Sequence, residues 1–379
     1  MYSEEELIGI AKRENNNIRR YLVVNKLQAK HVPVSPRKAL MMFQELANLL
    51  KEQYSKERLL LIGFAETATA IGSAIAIELK SAYMQTTREV IPGVHYLFFS
   101  EAHSHATEQK LIQEDMDQVI HKTDRIIFIE DEITTGNTIM NIVLILKKRY
   151  PEKVKYSVAS LLNGMEADSL ATFKKHEINV HYLLKTKHDQ YTKIAEGFRG
   201  DGTYVSAVSV VKPENLECKE NLEYANLRKI DARGWLNARR AILAKDYSDA
   251  CNRLWQQINH TGFLQGKARV LVLGTEEFMY PALYIASKIE ENASFVRCHS
   301  TTRSPIVVSN ETNYPLHKRY ELLSFYDRKR TTYLYDLDTY DSVIIVTDSH
   351  ELVNESLHTL LYALKQCGND EIILIRWCE

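Results

Sequence analysis

From residue 59 onward the chain sets short, continuously apolar runs between helix-length segments, a rhythm best buried as a parallel sheet covered on both faces. Leu59 to Ile62 forms the first run and ends at Gly63. An apolar segment, Thr67 to Leu79, follows it and reads as a central helix. Further strands are expected near Tyr83, from His95 to Phe99, from Arg125 to Ile129 and from Tyr156 to Leu162, with a helix from Thr138 to Arg149. This is a doubly wound α/β domain. Ahead of it, the β-branched stretches 21–25 and 31–34 suggest an extended arm or short hairpin. Ser35-Pro36 then offers an N-cap and an N1 proline to an amphipathic helix reaching about residue 53.

A second strand–helix series begins after a helical stretch from Ala238 to Ile258, and it follows the first. Val270 to Gly274 corresponds to Leu60 to Gly63, Thr301-Thr302-Arg303 to Thr86-Thr87-Arg88, and Ser342 to Asp348 to Arg125 to Asp131. The spacing follows too: 25 residues separate Gly63 from Arg88 and 29 separate Gly274 from Arg303, while the next intervals, Arg88 to Asp131 and Arg303 to Asp348, are 43 and 45. Two unrelated α/β domains would share only part of that series. At 379 residues, two domains are also what core size favours. The expected division is 1–230, with the N-terminal arm and a less regular accessory segment at 180–230, and 235–379.

The segment Ile126 to Thr138 carries the chemistry. A buried strand delivers Glu130 and Asp131 to its C-terminal end, the edge at which open α/β sheets bind ligands. Two ionised acceptors there match a vicinal diol. The next residues, Thr134-Thr135-Gly136-Asn137-Thr138, are small or polar and open a helix, so backbone amides and hydroxyls can cradle a phosphate at the positive end of the dipole. Diol acceptors beside a phosphate cup describe a ribose 5-phosphate. The alternative is an ordinary strand–turn–helix with solvated acids and a threonine cap.

In that order these residues resemble the signature of type I phosphoribosyltransferases, which binds 5-phosphoribosyl diphosphate (PRPP). The whole chain is similar to the orotate-phosphoribosyltransferase-like proteins of tellurium-resistance gene clusters. In those proteins a phosphoribosyltransferase domain precedes a domain named for a Thr-Arg-Ser-Pro motif, found here at Thr302-Arg303-Ser304-Pro305. The resemblance implies a type I phosphoribosyltransferase fold followed by a degenerate α/β partner, and Mg²⁺-dependent transfer between PRPP and a nitrogenous acceptor. It assigns the diol to Glu130 and Asp131 and the 5-phosphate to Thr134 to Thr138. Glu130 stands where the family has aspartate, and Asn137 where it has a second glycine.

The resemblance also marks pyrophosphate contacts at Ala65, Glu66 and Thr67 and at Arg88. An acid beside an anion needs Mg²⁺ or a cationic partner, and Glu66 reads equally as a helix-start acid. Arg88 reads equally as a surface arginine. The polar segment from Ser100 to Lys110 falls where the family has a mobile lid. There His103, His105 or Lys110 would protonate or neutralise the leaving group, while the His-x-His reads equally as a solvated loop or an adventitious metal site. In the second copy Ser349 to Leu352 replaces the phosphate loop and Glu276-Glu277 replaces small residues, leaving Arg303 and Asp348 as candidates for a different ligand site.

Composition narrows the rivals. With 48 basic against 49 acidic residues the net charge is −1, which gives no general attraction to nucleic acid or anionic lipid. The five scattered cysteines suit reduced thiols, no apolar run approaches ~18 residues, and the N-terminus is acidic. The expectation is a cytoplasmic protein, assembled as a homodimer, acting on small molecules. The rival from another class is a non-catalytic sensor of PRPP or a nucleotide. A PRPP synthetase would share the duplicated architecture, but no ATP-binding signature accompanies it.

Overall fold

The computed structural model describes residues 2–14, 16, 19–99, 109–151, 154–210, 227–262, 266–350 and 354–379. By packing, the chain divides into two compact units. One is built from Leu40–Lys187 and Leu236–Ala250, the other from Ser3–Ala39, His188–Trp235 and Cys251–Glu379. Residues 3–39 and 188–235, expected beside the first domain, thus pack in the second unit.

The first unit holds a six-stranded sheet in the order Ile242–Leu243, Ala82–Gln85, Leu59–Gly63, Arg125–Ile133, Lys155–Asn163, Ile178–Lys185. All neighbours are parallel except the first pair. Leu60, Leu61 and Ile62 and the run Ile126 to Ile129 are fully buried. Each such side chain contributes about 1.5–3 kcal/mol of transfer free energy. The helix Thr69–Leu79 lies close on the sheet because Gly72 lacks a side chain: a Cβ there would stand 2.9 Å from Tyr83 and 3.0 Å from the Gly63 Cα. Tyr96–Phe99 and Gln109–Ile112 form a separate antiparallel hairpin. The helical stretch expected from Ala238 begins only at Ala244, because Ile242 and Leu243 pair with the sheet edge instead.

In the second unit the sheet runs Phe295–Ser300, Arg269–Gly274, Ser342–Thr347, Ile372–Trp377, Leu227–Ala232, parallel throughout. Its first four places match four consecutive strands of the first sheet, and the fifth is filled by a strand from upstream. A hairpin again stands apart, Lys318–Leu323 with Thr331–Tyr335, joined here by Thr203–Ser206. The N-terminal arm forms its own hairpin, Ile8–Lys12 with Tyr21–Asn25.

The likeness extends to single hydrogen bonds. Thr86 N donates to Gly63 O at 2.9 Å, and Thr301 N to Gly274 O at 3.1 Å. Ala65 N donates to Thr86 Oγ1 at 2.8 Å, and Glu276 N to Thr301 Oγ1 at 3.0 Å. Thr87 forms an antiparallel bridge with Lys110, and Thr302 with Tyr333. Generic α/β rhythm does not reproduce such loop details, so they favour a repeat.

Cys251, Cys298, Cys367 and Cys378 are free thiols. Among the described residues no helix is long and apolar enough to cross a membrane.

Candidate active site

The site lies at the C-terminal ends of the first unit's central strands. The strand expected to stop at Ile129 continues to Ile133, so Glu130 and Asp131 lie within it rather than at a turn after it. The cause is unequal neighbours: pairing with Leu59–Gly63 stops at Ile129, but Lys155–Asn163 carries the ladder onward. Glu130, Asp131 and Glu132 are each half-buried.

Burial holds the Glu130 carboxyl well above its ordinary range; the adjacent Asp131 charge adds to the rise and Arg88 opposes it. Asp131 is also raised, chiefly by burial, while a hydrogen bond from Thr67 pulls it back. That bond, from Thr67 Oγ1 to Asp131 Oδ1, measures 2.8 Å. The structure therefore brings the expected diol acids, Thr67 and the field of Arg88 into one place.

The loop around Ala65 is held from two sides. Thr86 Oγ1 accepts from Ala65 N and donates to Gln109 Oε1 at 2.6 Å, and Gln109 Nε2 donates in turn to Ala65 O. Glu66 is buried, and the Ala65–Glu66 peptide is cis. Sequence reasoning missed Thr86 and Gln109 as supports of this loop. The Thr-Thr-Arg repeat marked Thr86, but nothing local marked Gln109.

The segment Thr134 to Thr138 turns into the helix Asn137–Arg149 through Gly136 at φ 76°. A Cβ on Gly136 would approach two Phe173 ring atoms at 2.6 Å and Met165 Sδ at 3.0 Å, so glycine is required twice over. Asn137 N donates to Thr135 Oγ1 at 3.3 Å, while Gly136 offers no side-chain cap. The helix start can therefore face an anion through its backbone.

Lys110 is buried and its Nζ lies 4.6 Å over the Tyr96 ring, a cation–π contact. His103 and His105 lie outside the described residues.

In the second unit the equivalent positions neutralise one another. Arg303 Nε meets Glu276 Oε2 at 2.7 Å and its Nη2 meets Glu277 Oε1 at 3.3 Å. Arg330 approaches Glu276 at 3.2 Å, and Ser324 donates to it as well. Asp348 is buried and accepts a 2.7 Å bond from Tyr326. Arg303 and Asp348 are thus both engaged within the fold.

The comparisons agree with this architecture. A family described as phosphoribosyl transferase matches residues 7–188, and the TRSP domain, described as C-terminal to that transferase, matches residues 233–364. No curated protein matches the sequence. Similar solved structures include adenine phosphoribosyltransferase from Rhodothermus marinus, with 16% identity over 48% of this chain and 96% of that one and a TM-score of 0.35. The Giardia lamblia enzyme, complexed with 9-deazaadenine, has 13% identity over 48% and 96% and a TM-score of 0.37. The Trypanosoma brucei enzyme, in complex with AMP, pyrophosphate and ribose-5-phosphate, has 14% identity over 48% and 77% and a TM-score of 0.34. On its two family matches, the chain belongs to the phosphoribosyltransferases that carry a C-terminal TRSP domain.

Proposed function

We propose that the first unit moves a 5-phosphoribosyl group between PRPP and a nitrogenous acceptor in a Mg²⁺-dependent reaction. Glu130 and Asp131 receive the ribose hydroxyls, Thr134 to Thr138 the 5-phosphate, and Ala65 to Thr67 with Arg88 the diphosphate. The observation that carries this reading is the 2.8 Å bond from Thr67 to Asp131, which joins the diphosphate loop to the diol acids.

In the synthetic direction the bond from ribose C1 to the diphosphate oxygen breaks, its electron pair leaving with the diphosphate. A bond from the acceptor nitrogen to C1 forms, and that nitrogen sheds its proton. The transition state resembles an oxocarbenium ion, so the residues act chiefly by positioning and by electrostatics. The carboxylates of Glu130 and Asp131 are hard oxygen donors suited to Mg²⁺, and the burial and like charge that raise Glu130 are relieved by a nearby cation. When bound, Mg²⁺ would offset the negative charge of the diphosphate.

In the second copy the sequence Ser349 to Leu352 stands in place of the Thr-Thr-Gly loop, and its arginine already faces two carboxylates. One PRPP site per chain follows. Calorimetric titration of the full chain with PRPP and Mg²⁺ tests this: a stoichiometry of one is expected, and two would overturn it. Asp131→Asn should bind PRPP at least about tenfold more weakly with the fold intact, since an amide misdirects a donor toward the diol. Unchanged affinity would remove the diol assignment. Pyrophosphate release that depends on an added acceptor marks catalysis, whereas saturable binding without release marks a sensor.

A further inference from the structure

In the second unit a buried lysine fastens together the two loops at the strand ends. Lys30 is fully buried, and its Nζ donates to the carbonyl oxygens of Glu276 and Thr301, each at 2.9 Å, with Ser300 Oγ at 3.5 Å. It comes from an upstream segment, Leu27-Gln28-Ala29-Lys30. Four residues later Val34 pairs antiparallel with Cys298 on the edge strand.

The first unit contains a similar segment at the corresponding edge strand. Leu236-Asn237-Ala238-Arg239 repeats the pattern, and three residues later Ile242 pairs antiparallel with Tyr83 on the edge strand. Tyr83 and Cys298 hold the same place, each two residues before the partner of the strand-end glycine. The segment is pinned where this correspondence needs it. Gln85 N donates to Ala238 O at 2.8 Å, and the buried Asp115 accepts from Arg240 Nε at 2.8 Å, Arg240 Nη2 at 2.7 Å and Ala241 N at 2.7 Å. Gln85 is the last residue of its strand, directly before Thr86-Thr87-Arg88. Arg239 is buried there.

We propose that Arg239 is a positioning residue of the first unit's site, doing for the Ala65 to Thr67 loop and Thr86 what Lys30 does for Glu276 and Thr301. Its guanidinium clamps the carbonyls of those loops and adds positive charge beneath the diphosphate. A guanidinium has five donors where an ammonium has three, which suits it to fastening two loops at once. The site is then incomplete within residues 7–188, because this part comes from the head of the stretch matched by the TRSP domain. Its consequence for PRPP rests on the function proposed above; the clamp itself does not.

The test uses full-length protein, with PRPP and Mg²⁺ titrated calorimetrically and hydrogen exchange followed without ligand. Arg239→Met should speed exchange across residues 63–69 and weaken PRPP binding by roughly ten- to a hundredfold. Arg239→Lys should restore most of both, since a lysine serves the second unit. Lys30→Met should speed exchange across residues 274–277 and leave PRPP affinity alone. Unchanged exchange at 63–69 in Arg239→Met overturns the clamp. So does unchanged affinity in that variant when the parent binds PRPP, or an equal loss in Lys30→Met. Should Arg239→Met fail to fold, a folded Arg239→Lys that loses PRPP affinity as severely overturns it equally. If the parent binds no PRPP, the functional reading fails instead, and exchange alone decides the clamp.

Discussion

Replacing Arg303 of the Thr-Arg-Ser-Pro motif by alanine tests whether that motif holds a ligand or holds the fold. Its guanidinium meets Glu276 at 2.7 Å and Glu277 at 3.3 Å, and each of these acids is only 1% exposed. Removing one partner of a buried ion pair costs about 3–5 kcal/mol, because the charge left behind has lost both water and its counterion. Arg330 keeps a 3.2 Å contact with Glu276, which places the expectation for Arg303→Ala near the lower end, about 3 kcal/mol. All three tryptophans, Trp235, Trp255 and Trp377, belong to the second unit, so urea unfolding followed by tryptophan fluorescence reads it selectively. The expected result is a transition at lower urea with PRPP affinity unchanged. Combining Arg303→Met and Arg330→Met with Glu276→Gln and Glu277→Gln should recover much of the loss, since the whole charged set is then removed. A stability change below about 1 kcal/mol, or lost turnover at unchanged stability, would refute the reasoning and return Arg303 to a ligand site.

Two further substitutions probe the first unit. Gly136→Ala places a Cβ 2.6 Å from the Phe173 ring at φ 76°, so left-handed strain and overpacking together should cost about 2–4 kcal/mol. Urea unfolding by circular dichroism should show that loss and calorimetry a weaker grip on ribose 5-phosphate; a neutral variant would mean the loop is not held as described. Glu130→Gln should raise the melting temperature of the ligand-free protein at neutral pH while abolishing PRPP binding. Because the folded pKa of Glu130 is raised, the native state keeps a proton that the unfolded chain releases. Stability therefore falls as pH rises from the ordinary carboxylate range through the raised value. Melting curves at pH 5 and pH 8 check the sign: the advantage of Glu130→Gln should be larger at pH 8.

The central strands could be read from sequence because each is a continuous apolar run, Ile126 to Ile129 most plainly, and burial on both faces leaves that mark. The polar extension Glu130 to Ile133 carries no such mark. It is a strand only because Lys155–Asn163 lies alongside it. Leu227–Ala232 was hidden for a related reason: half its side chains are exposed, so it resembled a linker although it completes the second sheet. The packing of residues 3–39 and 188–235 with 251–379 depends on contacts far apart in sequence, and local periodicity says nothing of those. At the candidate site, Glu130, Asp131 and the loop Thr134 to Thr138 were visible because the type and order of residues already suggest a chemistry. Gln109, and Arg239 of the proposed clamp, were not, since one glutamine after a polar loop and one arginine among 48 basic residues carry no pattern until the backbone brings their segments to a strand end.

The repeat explains why one motif reads differently in its two settings. Ala65 and Glu276 hold equivalent places, each amide donating to a threonine hydroxyl, at 2.8 and 3.0 Å. At 65 the side chain is a methyl group. At 276 it is a carboxylate that reaches the Thr-Thr-Arg arginine at 2.7 Å. A carboxylate and a phosphate oxygen compete for the same guanidinium donors, so the second copy supplies from its own chain the kind of group that the proposed first site would take from its substrate. The carboxylate at 276, together with Glu277, thus makes the second loop self-neutralised, where the proposed first site would take an anion. On this reasoning the arginine that names the second domain serves the fold, while the charge of the one at position 88 favours ionisation of Glu130.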